Sequence, residues 1–441
     1  MTTDDLANEI VLDLLRSAWV IEKSRGSLYE RWARVDERFG SRVEATEKRA
    51  ALLATRLDAM DADPDGPLVD THAAWLAGIV GERPDEIALG PLFVVRLGDW
   101  VDAHSGPFLG SEMDDLKRWG EQEKEALEIP GSLPEAPPFE PVPPVEVQLP
   151  GEVLFRFALL GDTHIGSRGA ETMTAAALRD IESSGAAFVI QLGDITDHGE
   201  KEEFDRARSL LDTLSIPVTT MMGNHDVYSM NEERLSGREY YGSVFGREPD
   251  GVMFEHAGFR FAVLDSIEHG ASPFGPFDLV SGRLAEGSGG AIVRGSLTTP
   301  QHELLADIAA PGGQPTFVFL HHPPQPFTGF PPILFGLRDS DSGRLHAVVD
   351  SGNVWGVFAG HTHRNARTRD FDGVPAQEVA IPRDYPFGYA LVDVCREGYV
   401  YRFHQISDEE LLRKMYKSAT TIHRRYGRGD EQARGFVWTR T

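Results

Sequence analysis

The chain has 441 residues, of which 41% are hydrophobic and 25% are charged, a composition typical of a globular protein with room for two domains. Its 69 acidic residues outnumber its 43 basic residues and give a formal net charge of −26. Such a surface repels nucleic-acid backbones and anionic membranes, so we expect no general nucleic-acid binding and no membrane partner.

The compartment is predicted from cysteine usage and from the first residues. Cys395 is the single cysteine, so the chain has no internal disulfide, which suits a reducing compartment. The first residues, MTTDDLANEI, carry acids where a signal peptide carries Lys or Arg. No apolar run reaches the roughly 18 residues of a membrane span, and we therefore expect a cytoplasmic protein.

Residues 1–127 are predicted to form a helical N-terminal domain. Apolar residues recur at helical spacing over 6–24 and 43–60. Further helical patterns occur at 68–80, 91–104 and 112–127. Four or five amphipathic helices of this kind favour an all-α bundle.

Two functions are open for this bundle. Bundles can bind two irons through glutamates and Glu-x-x-His pairs, and Glu22, Glu30, Glu44 and Glu47 are available. No Glu-x-x-His occurs before residue 127, however. A docking module, or one for homo-oligomerisation, is the alternative that we favour.

A proline-rich linker is predicted at 128–150. This stretch contains eight prolines, which rules out a helix and favours an extended polyproline II conformation. We place the domain boundary here.

The pattern changes after the linker to alternating strands and helices. Apolar runs such as VLFRFALLGD and AAFVIQLGD alternate with amphipathic helical stretches, which indicates parallel strands joined by crossovers. Later runs include hairpins, so a mixed α/β sheet is expected. We assign 151–407 to this domain and 408–441 to a helical C-terminal tail.

Five of the predicted strands end in clusters of polar residues. The clusters are GDTHIG at 161–166, GDITDHGE at 193–200, GNHD at 223–226, LHHPP at 320–324 and GHTH at 360–363. The carboxyl ends of parallel strands share one edge of a sheet, so these segments are expected to converge. Carboxylate, amide and imidazole groups together are typical ligands of Mn, Fe and Zn. The density of the set favours two divalent metals, about 3.5–4 Å apart.

The order D-x-H, GD, GNH[DE], His and GHxH resembles the calcineurin-like metallophosphoesterase family across about 152–405. GDITDHGEKEEF, REYYGSVFG and LHHPP are most similar to the branch of bacterial class III cyclic-nucleotide phosphodiesterases. The resemblance implies a four-layer αββα sandwich. It also implies a hydrolase.

The resemblance also implies roles for individual residues. The expected metal ligands are Asp162, His164 and His363 for one ion, Asn224, His321 and His361 for the other, and Asp194 as the bridge. His225 is expected to contact the phosphate and stabilise or protonate the leaving oxygen, while Asp226 orients His225.

These roles imply hydrolysis by a hydroxide that two metals activate, with no phosphoenzyme. The expected substrate is a small-molecule phosphate ester. We favour a phosphodiester, such as a cyclic nucleotide, over a monoester of a nucleotide or sugar. A third hypothesis is a metal-binding scaffold that recruits partners through the helical domain.

Three assignments stay open at this point. His322 is the reserve ligand if His321 is not used. Asp197 either lies near the metals or caps a helix. The aromatic residues of the following loop, Phe327, Phe330 and Phe335, either cover the site or pack an ordinary loop.

Overall fold

The structure is a computed structural model that describes most of the chain. It covers 3–34, 40–62, 138–227, 237–246, 251–267, 294–324, 336–419 and 429–440, except for 311, 352 and 372, together with short pieces between 66 and 73. The helical patterns at 91–104 and 112–127, most of 68–80, and the loop with Phe327, Phe330 and Phe335 lie outside the described residues. The domain boundaries at 127 and 150 stay predictions for this reason.

The chain divides into two compact units. The first comprises Met1–Glu135, Phe274–Val293 and Pro326–Gly336, and the second comprises Ala136–Pro273, Arg294–Gln325 and Leu337–Thr441. In the first unit, helix α1 (Thr3–Ala33) packs against helix α2 (Gly40–Ala59). Among the described helices, none is long and apolar enough to cross a membrane.

Glu22, one of the glutamates considered as an iron ligand, is part of a buried ion-pair cluster between α1 and α2. Its two carboxylate oxygens each lie 2.8 Å from a guanidinium nitrogen, one of Arg25 and one of Arg49. Its charge is therefore neutralised by arginines. Within the described residues, no group of potential metal ligands lies in these two helices.

The second unit begins with alternating strands and helices. In chain order these are β1 (Val153–Leu160), α3 (Ala170–Glu182), β2 (Val189–Gln191), α4 (Lys201–Leu211), β3 (Val218–Thr220), a 3-10 turn (His225–Val227) and α5 (Gly237–Phe245). The middle part consists of β4 (Val252–His256), β5 (Phe259–Val263), α6 (Thr299–Ile308), β6 (Thr316–Leu320), α7 (Asp339–Ser351), β7 (Val354–Ala359), β8 (Ala366–Phe371) and β9 (Val374–Glu378). The last part consists of β10 (Gly388–Cys395), β11 (Gly398–Gln405), α8 (Glu409–Ser418), a 3-10 turn (Glu431–Ala433) and β12 (Gly435–Thr439).

These strands form two six-stranded mixed sheets. The first has the order β12-β11-β10-β1-β2-β3, in which β1, β2 and β3 are parallel. The second has the order β4-β5-β6-β7-β9-β8, in which the four central strands are parallel. The carboxyl ends of the parallel strands are the ones that carry the polar clusters of the sequence.

An aromatic core joins the two sheets face to face. Phe157 of β1 lies 5.5 Å from Phe261 of β5 and 5.5 Å from Phe317 of β6, measured between ring centroids. Helix α3 packs on the first sheet and helices α6 and α7 pack on the second, through buried aliphatic residues. The predicted four-layer αββα sandwich is confirmed.

The segments at the two ends of the second unit, 138–150 and 408–440, differ from the predicted linker and the predicted helical tail. The described end of the proline-rich stretch, 138–150, lies against the domain: Gln405 Oε1 accepts from Val142 N–H at 2.9 Å, and Tyr385 O–H donates to the Glu140 carbonyl at 3.1 Å. The tail contains the expected helix, α8, but it ends in strand β12, which pairs antiparallel with β11. The sequence analysis did not anticipate that strand.

Candidate metal centre

The predicted ligands come within four residues of the carboxyl ends of parallel strands in both sheets. Asp162 and His164 follow β1, Asp194 follows β2, Asn224 follows β3, His321 follows β6, and His361 and His363 follow β7. Their side chains are buried, except that His363 is 21% exposed. Residues up to about 200 positions apart in the chain thus meet at one edge of the sandwich.

The first cluster contains Asp162, His164, Asp194 and His363. The Nε2 atoms of His164 and His363 lie 3.0 Å apart, and His363 Nε2 lies 3.3 Å from Asp162 Oδ2. Two ring nitrogens that face each other beside a carboxylate form a pocket of lone pairs, which suits a divalent cation.

The second cluster is built around His321. Its Nε2 atom lies 3.0 Å from Asn224 Oδ1 and 3.1 Å from His361 Nδ1. Its Nδ1 atom lies 2.8 Å from the Leu192 carbonyl oxygen, which can only accept, so Nδ1 carries the proton and Nε2 presents the lone pair. This tautomer is the one that a metal ligand requires.

Asp194 contacts both clusters through different oxygens. Its Oδ1 lies 3.4 Å from His321 Nε2, and its Oδ2 lies 3.7 Å from His164 Nε2. A single buried carboxylate therefore stands between the two groups of ligands.

The turns that carry these residues have unusual backbone conformations. The φ angles of His164, Asp194, His361 and His363 are all positive, between 45° and 70°. Non-glycine residues in this region cost roughly 1–3 kcal/mol each and concentrate at functional sites. Close packing adds to the constraint, because a Cβ on Gly360 would lie 2.3 Å from Asp162 Oδ1.

The pKa values of His321 and His164 are shifted in opposite directions. Burial disfavours protonation of His321, but the carboxylates of Asp194 and Asp162 outweigh it and raise the pKa of His321 to about 9. Burial and the neighbouring His225 lower the pKa of His164 to about 4, so that this ring is neutral and ready to bind a metal. Asp162 Oδ1 is buried and has no hydrogen-bond partner among the described residues. The residues present therefore fit a pair of cations.

His225 stands beside the first cluster with its ring partly exposed. Its ring packs edge to face on His164, with centroids 4.5 Å apart, and its backbone N–H donates to Asp194 Oδ1 at 2.8 Å. The Nδ1 atom donates to the Asp197 carbonyl oxygen at 2.9 Å. The opposite nitrogen, Nε2, is then the one that can exchange a proton with a substrate.

We expected Asp226 to orient the His225 ring, but the structure shows its carboxylate among donors of two turns. The buried carboxylate of Asp226 accepts instead from the backbone N–H groups of Gly223, Ile195 and Thr196 and from the Thr196 hydroxyl, at 2.8–3.0 Å. Burial and the nearby Asp194 raise the pKa of Asp226 to about 7. Asp226 thus ties the turn after β2 to the turn after β3, and the Asp197 carbonyl holds His225.

The open assignments are clarified by the contacts of His322 and Asp197. His322 Nδ1 lies 2.9 Å from Ser266 Oγ, although the ring also lies within reach of His361. The Asp197 carboxylate accepts from His164 Nδ1 at 3.1 Å, while α4 is capped by Glu200 and Glu203. Asp197 is therefore near the centre and is not the helix cap.

Sequence reasoning missed one partner of the centre. Asp384 Oδ2 accepts from His363 Nδ1 at 2.9 Å. Asp384 lies in the loop after β9, in the stretch IPRDYP, which has no motif and no ligand spacing. The one feature that could have pointed to Asp384 is its position after β9, the last parallel strand of the second sheet.

Parts of the chain are similar to known proteins. Residues 155–365 match the family described as calcineurin-like phosphoesterase. The probable cyclic nucleotide phosphodiesterase of Rhodococcus erythropolis is 27% identical over 229 residues, covering 49% of this chain and 67% of the relative. Glycerophosphodiester phosphodiesterase GpdQ of Enterobacter lignolyticus is 25% identical, covering 48% of this chain and 72% of the relative. A dimetal phosphatase structure from Danio rerio has a TM-score of 0.44 at 19% identity, covering 57% of this chain and 96% of that one.

The two-sheet fold, the clustered histidines and aspartates, and the family match define the class of the protein. Residues 155–365 carry a calcineurin-like phosphoesterase domain, and the chain is a hydrolase of phosphoric esters. Proteins of this family use divalent metals, and the His and Asp clusters at the strand ends provide ligands for them.

Proposed function

We propose that the protein is a two-metal phosphodiesterase that hydrolyses a small diester. Asp162, His164 and His363 would hold one metal, and Asn224, His321 and His361 would hold the other. The observation that carries this proposal is the position of Asp194, whose two oxygens each face one cluster at 3.4 and 3.7 Å. The contacts of His321 with Asn224 and His361 support it as the ligand in preference to His322.

Bound there, two divalent cations supply the charge that polarises a phosphoryl group and activates water for attack at phosphorus. The side chains of the protein orient the metal ligands and supply a proton. The carboxylates of Asp197 and Asp384 hold His164 and His363 with their Nε2 atoms toward the cluster. His225, held through Nδ1, contacts the phosphate and donates a proton to the leaving oxygen from Nε2.

The preference for a diester comes from the relatives. Three curated relatives are named probable cyclic nucleotide phosphodiesterases, and the Enterobacter relative is named a glycerophosphodiester phosphodiesterase. Each relative is 25–29% identical to this chain, and the matched region covers about half of this chain. A cyclic nucleotide or another small diester is therefore the substrate class that we test first.

The test compares a diester with a monoester after metal removal. Chelated protein is reloaded with Mn²⁺, Fe²⁺ or Zn²⁺, and bound metal is counted before rates are measured on bis-p-nitrophenyl phosphate and on p-nitrophenyl phosphate. We expect two metals per chain and a higher kcat/KM on the diester. Equal or greater kcat/KM on the monoester would overturn the diester preference.

His225→Ala separates catalysis from metal binding. We expect it to keep both metals and to lose about 10²–10⁴-fold in kcat, the usual contribution of general acid–base catalysis. His404→Ala is the matched control, because His404 stacks on Tyr389 of the first sheet and belongs to neither of the two clusters of proposed ligands. Unchanged turnover in His225→Ala would contradict the role, and a partner-binding defect as its single effect would favour a scaffold.

A further inference from the structure

The segment after β9 carries Asp384, whose carboxylate contacts a histidine of the proposed first metal site. His164 and His363, whose Nε2 atoms lie 3.0 Å apart, each have a carboxylate at Nδ1: Asp197 at 3.1 Å and Asp384 at 2.9 Å. Because a carboxylate only accepts, each ring donates from Nδ1 and turns the Nε2 lone pair toward the cluster.

Arg383 lies between these two carboxylates. One guanidinium nitrogen lies 3.3 Å from Asp384 Oδ2, and another lies 3.7 Å from Asp197 Oδ1. Arg383 is 18% exposed, and these two carboxylates are the ion-pair and hydrogen-bond partners of its side chain among the described residues.

The geometry points to Arg383 as a positioning residue of the metal centre. We propose that it fixes both carboxylates at once and thereby fixes the rings of His164 and His363. The proposal rests on the ligand set of the proposed function. A fork of guanidinium donors can hold two carboxylates that would otherwise repel each other, whereas a lysine presents a single point charge.

This arrangement makes a specific prediction about one of the two metals. Arg383 acts on His164 and His363, which belong to the first cluster, and within the described part of the chain it forms no hydrogen bond or ion pair with Asn224, His321 or His361. Loss of an outer contact of this kind typically weakens metal affinity by about 10–100-fold. We therefore expect loss of Arg383 to weaken one metal and to spare the other.

The experiment titrates apoprotein with Mn²⁺ and follows free Mn²⁺ by electron paramagnetic resonance. Arg383→Gln should weaken one of two equivalents by about 10-fold or more, and Arg383→Lys should recover part of that loss. In activity assays, kcat of Arg383→Gln should be low at limiting Mn²⁺ and return toward the wild-type value with excess Mn²⁺. KM for the diester at saturating Mn²⁺ should stay within about twofold.

Arg402→Gln is the matched control. Arg402 is also 18% exposed and also pairs with a buried carboxylate, that of Asp393 at 2.6 Å, but on strands β10 and β11. It should bind both equivalents as the wild type does. Thermal unfolding of the two apoproteins, measured in parallel, identifies any general loss of structure, and the Asp384→Asn variant should reproduce the selective loss.

The outcomes are distinguishable. Wild-type binding of both equivalents by Arg383→Gln would overturn the positioning role, and so would a rise in KM with unchanged metal binding, which would make Arg383 a substrate contact. Equal weakening in Arg402→Gln would also overturn it. If the wild-type protein binds no metal, the proposed function fails, and this inference fails with it.

Discussion

Asp226 shows how a single buried carboxylate organises the turns of the centre through their backbone groups. It accepts four hydrogen bonds, three from the backbone and one from the Thr196 hydroxyl. The donors belong to the turns that carry Asp194 and Asn224. The aspartate that follows the GNH motif is therefore a brace between two turns.

Replacing Asp226 by asparagine should weaken this brace. The amide nitrogen of the introduced side chain cannot accept, so at least one buried N–H group loses its partner, and we expect the unfolding free energy to fall by about 1–3 kcal/mol. Denaturant unfolding of the metal-free protein measures this change.

Asp212→Asn is the control for the Asp226 substitution. Asp212 is exposed and pairs with Arg208 one turn earlier, so its loss should change stability by no more than about 1 kcal/mol. Equal stability of the Asp226 and Asp212 variants would argue against the brace.

Convergence of the polar clusters could be predicted because each follows an apolar strand, whereas the individual ligands were named from the family resemblance. Asp162 and His361, for example, each come two positions after the end of their strand, β1 and β7. Asp384 and Arg383 could not be named, since their partners lie about 20 and 190 positions away and are set by the packing of both sheets. The role of Asp226 was missed for the same reason, because its partners depend on how two turns meet.

At the scale of the elements, the centre depends on how tightly the turns after the strands can pack. Gly360 follows β7, and a Cβ there would lie 2.3 Å from Asp162 Oδ1 and 2.8 Å from the Leu192 carbonyl oxygen. Both neighbours are held in place by strands of the first sheet. The two sheets can approach at this edge because Gly360 has no side chain.

Gly360→Ala should therefore displace the turn that carries His361 and His363. Contacts under 3.0 Å require movement of backbone or of the buried Asp162, so we expect metal stoichiometry to fall and kcat to drop by at least about 10-fold. Metal analysis and turnover at saturating Mn²⁺ measure the two effects.

Gly343→Ala is the control for Gly360→Ala, at a glycine with room for a methyl group. Gly343 lies inside α7, and beyond the helix's own backbone no described atom comes within 4 Å of its Cβ position, so alanine should raise stability by up to about 1 kcal/mol and leave metal binding unchanged. A Gly360→Ala protein with full metal content and wild-type turnover would contradict the packing argument.

The central elements were predicted from the sequence more completely than the edges. β1, α3 and β2 lie within the apolar runs and the helical stretch of the sequence, although β2 is shorter than its run AAFVIQLGD. β12 is short and stands at the edge of the first sheet, where its pairing with β11 depends on a long-range contact. The packing of 138–150 is likewise tertiary, since Phe139 packs on Tyr385 and Tyr416 far along the chain.

At the scale of the whole molecule, the proposed metal ligands come from both sheets of the second unit. The first sheet supplies Asp162, His164, Asp194 and Asn224, and the second supplies His321, His361 and His363. These side chains are distant in the unfolded chain, so a metal that needs them together binds the folded state preferentially. Metal binding and stability of this unit should therefore be coupled.

Removal of metal should lower the thermal stability of the protein. A ligand present at 100 times its Kd stabilises the folded state by about 2.7 kcal/mol, so Tm should rise with Mn²⁺ and fall in a chelator. Asp194→Asn should lose most of this shift, because the Asp194 carboxylate contacts both clusters and its amide replacement offers one acceptor oxygen. Asp212→Asn should retain the shift. Calorimetry in Mn²⁺ and in chelator measures it, and identical unfolding curves for the wild-type protein in both would mean that the two sheets do not share a metal.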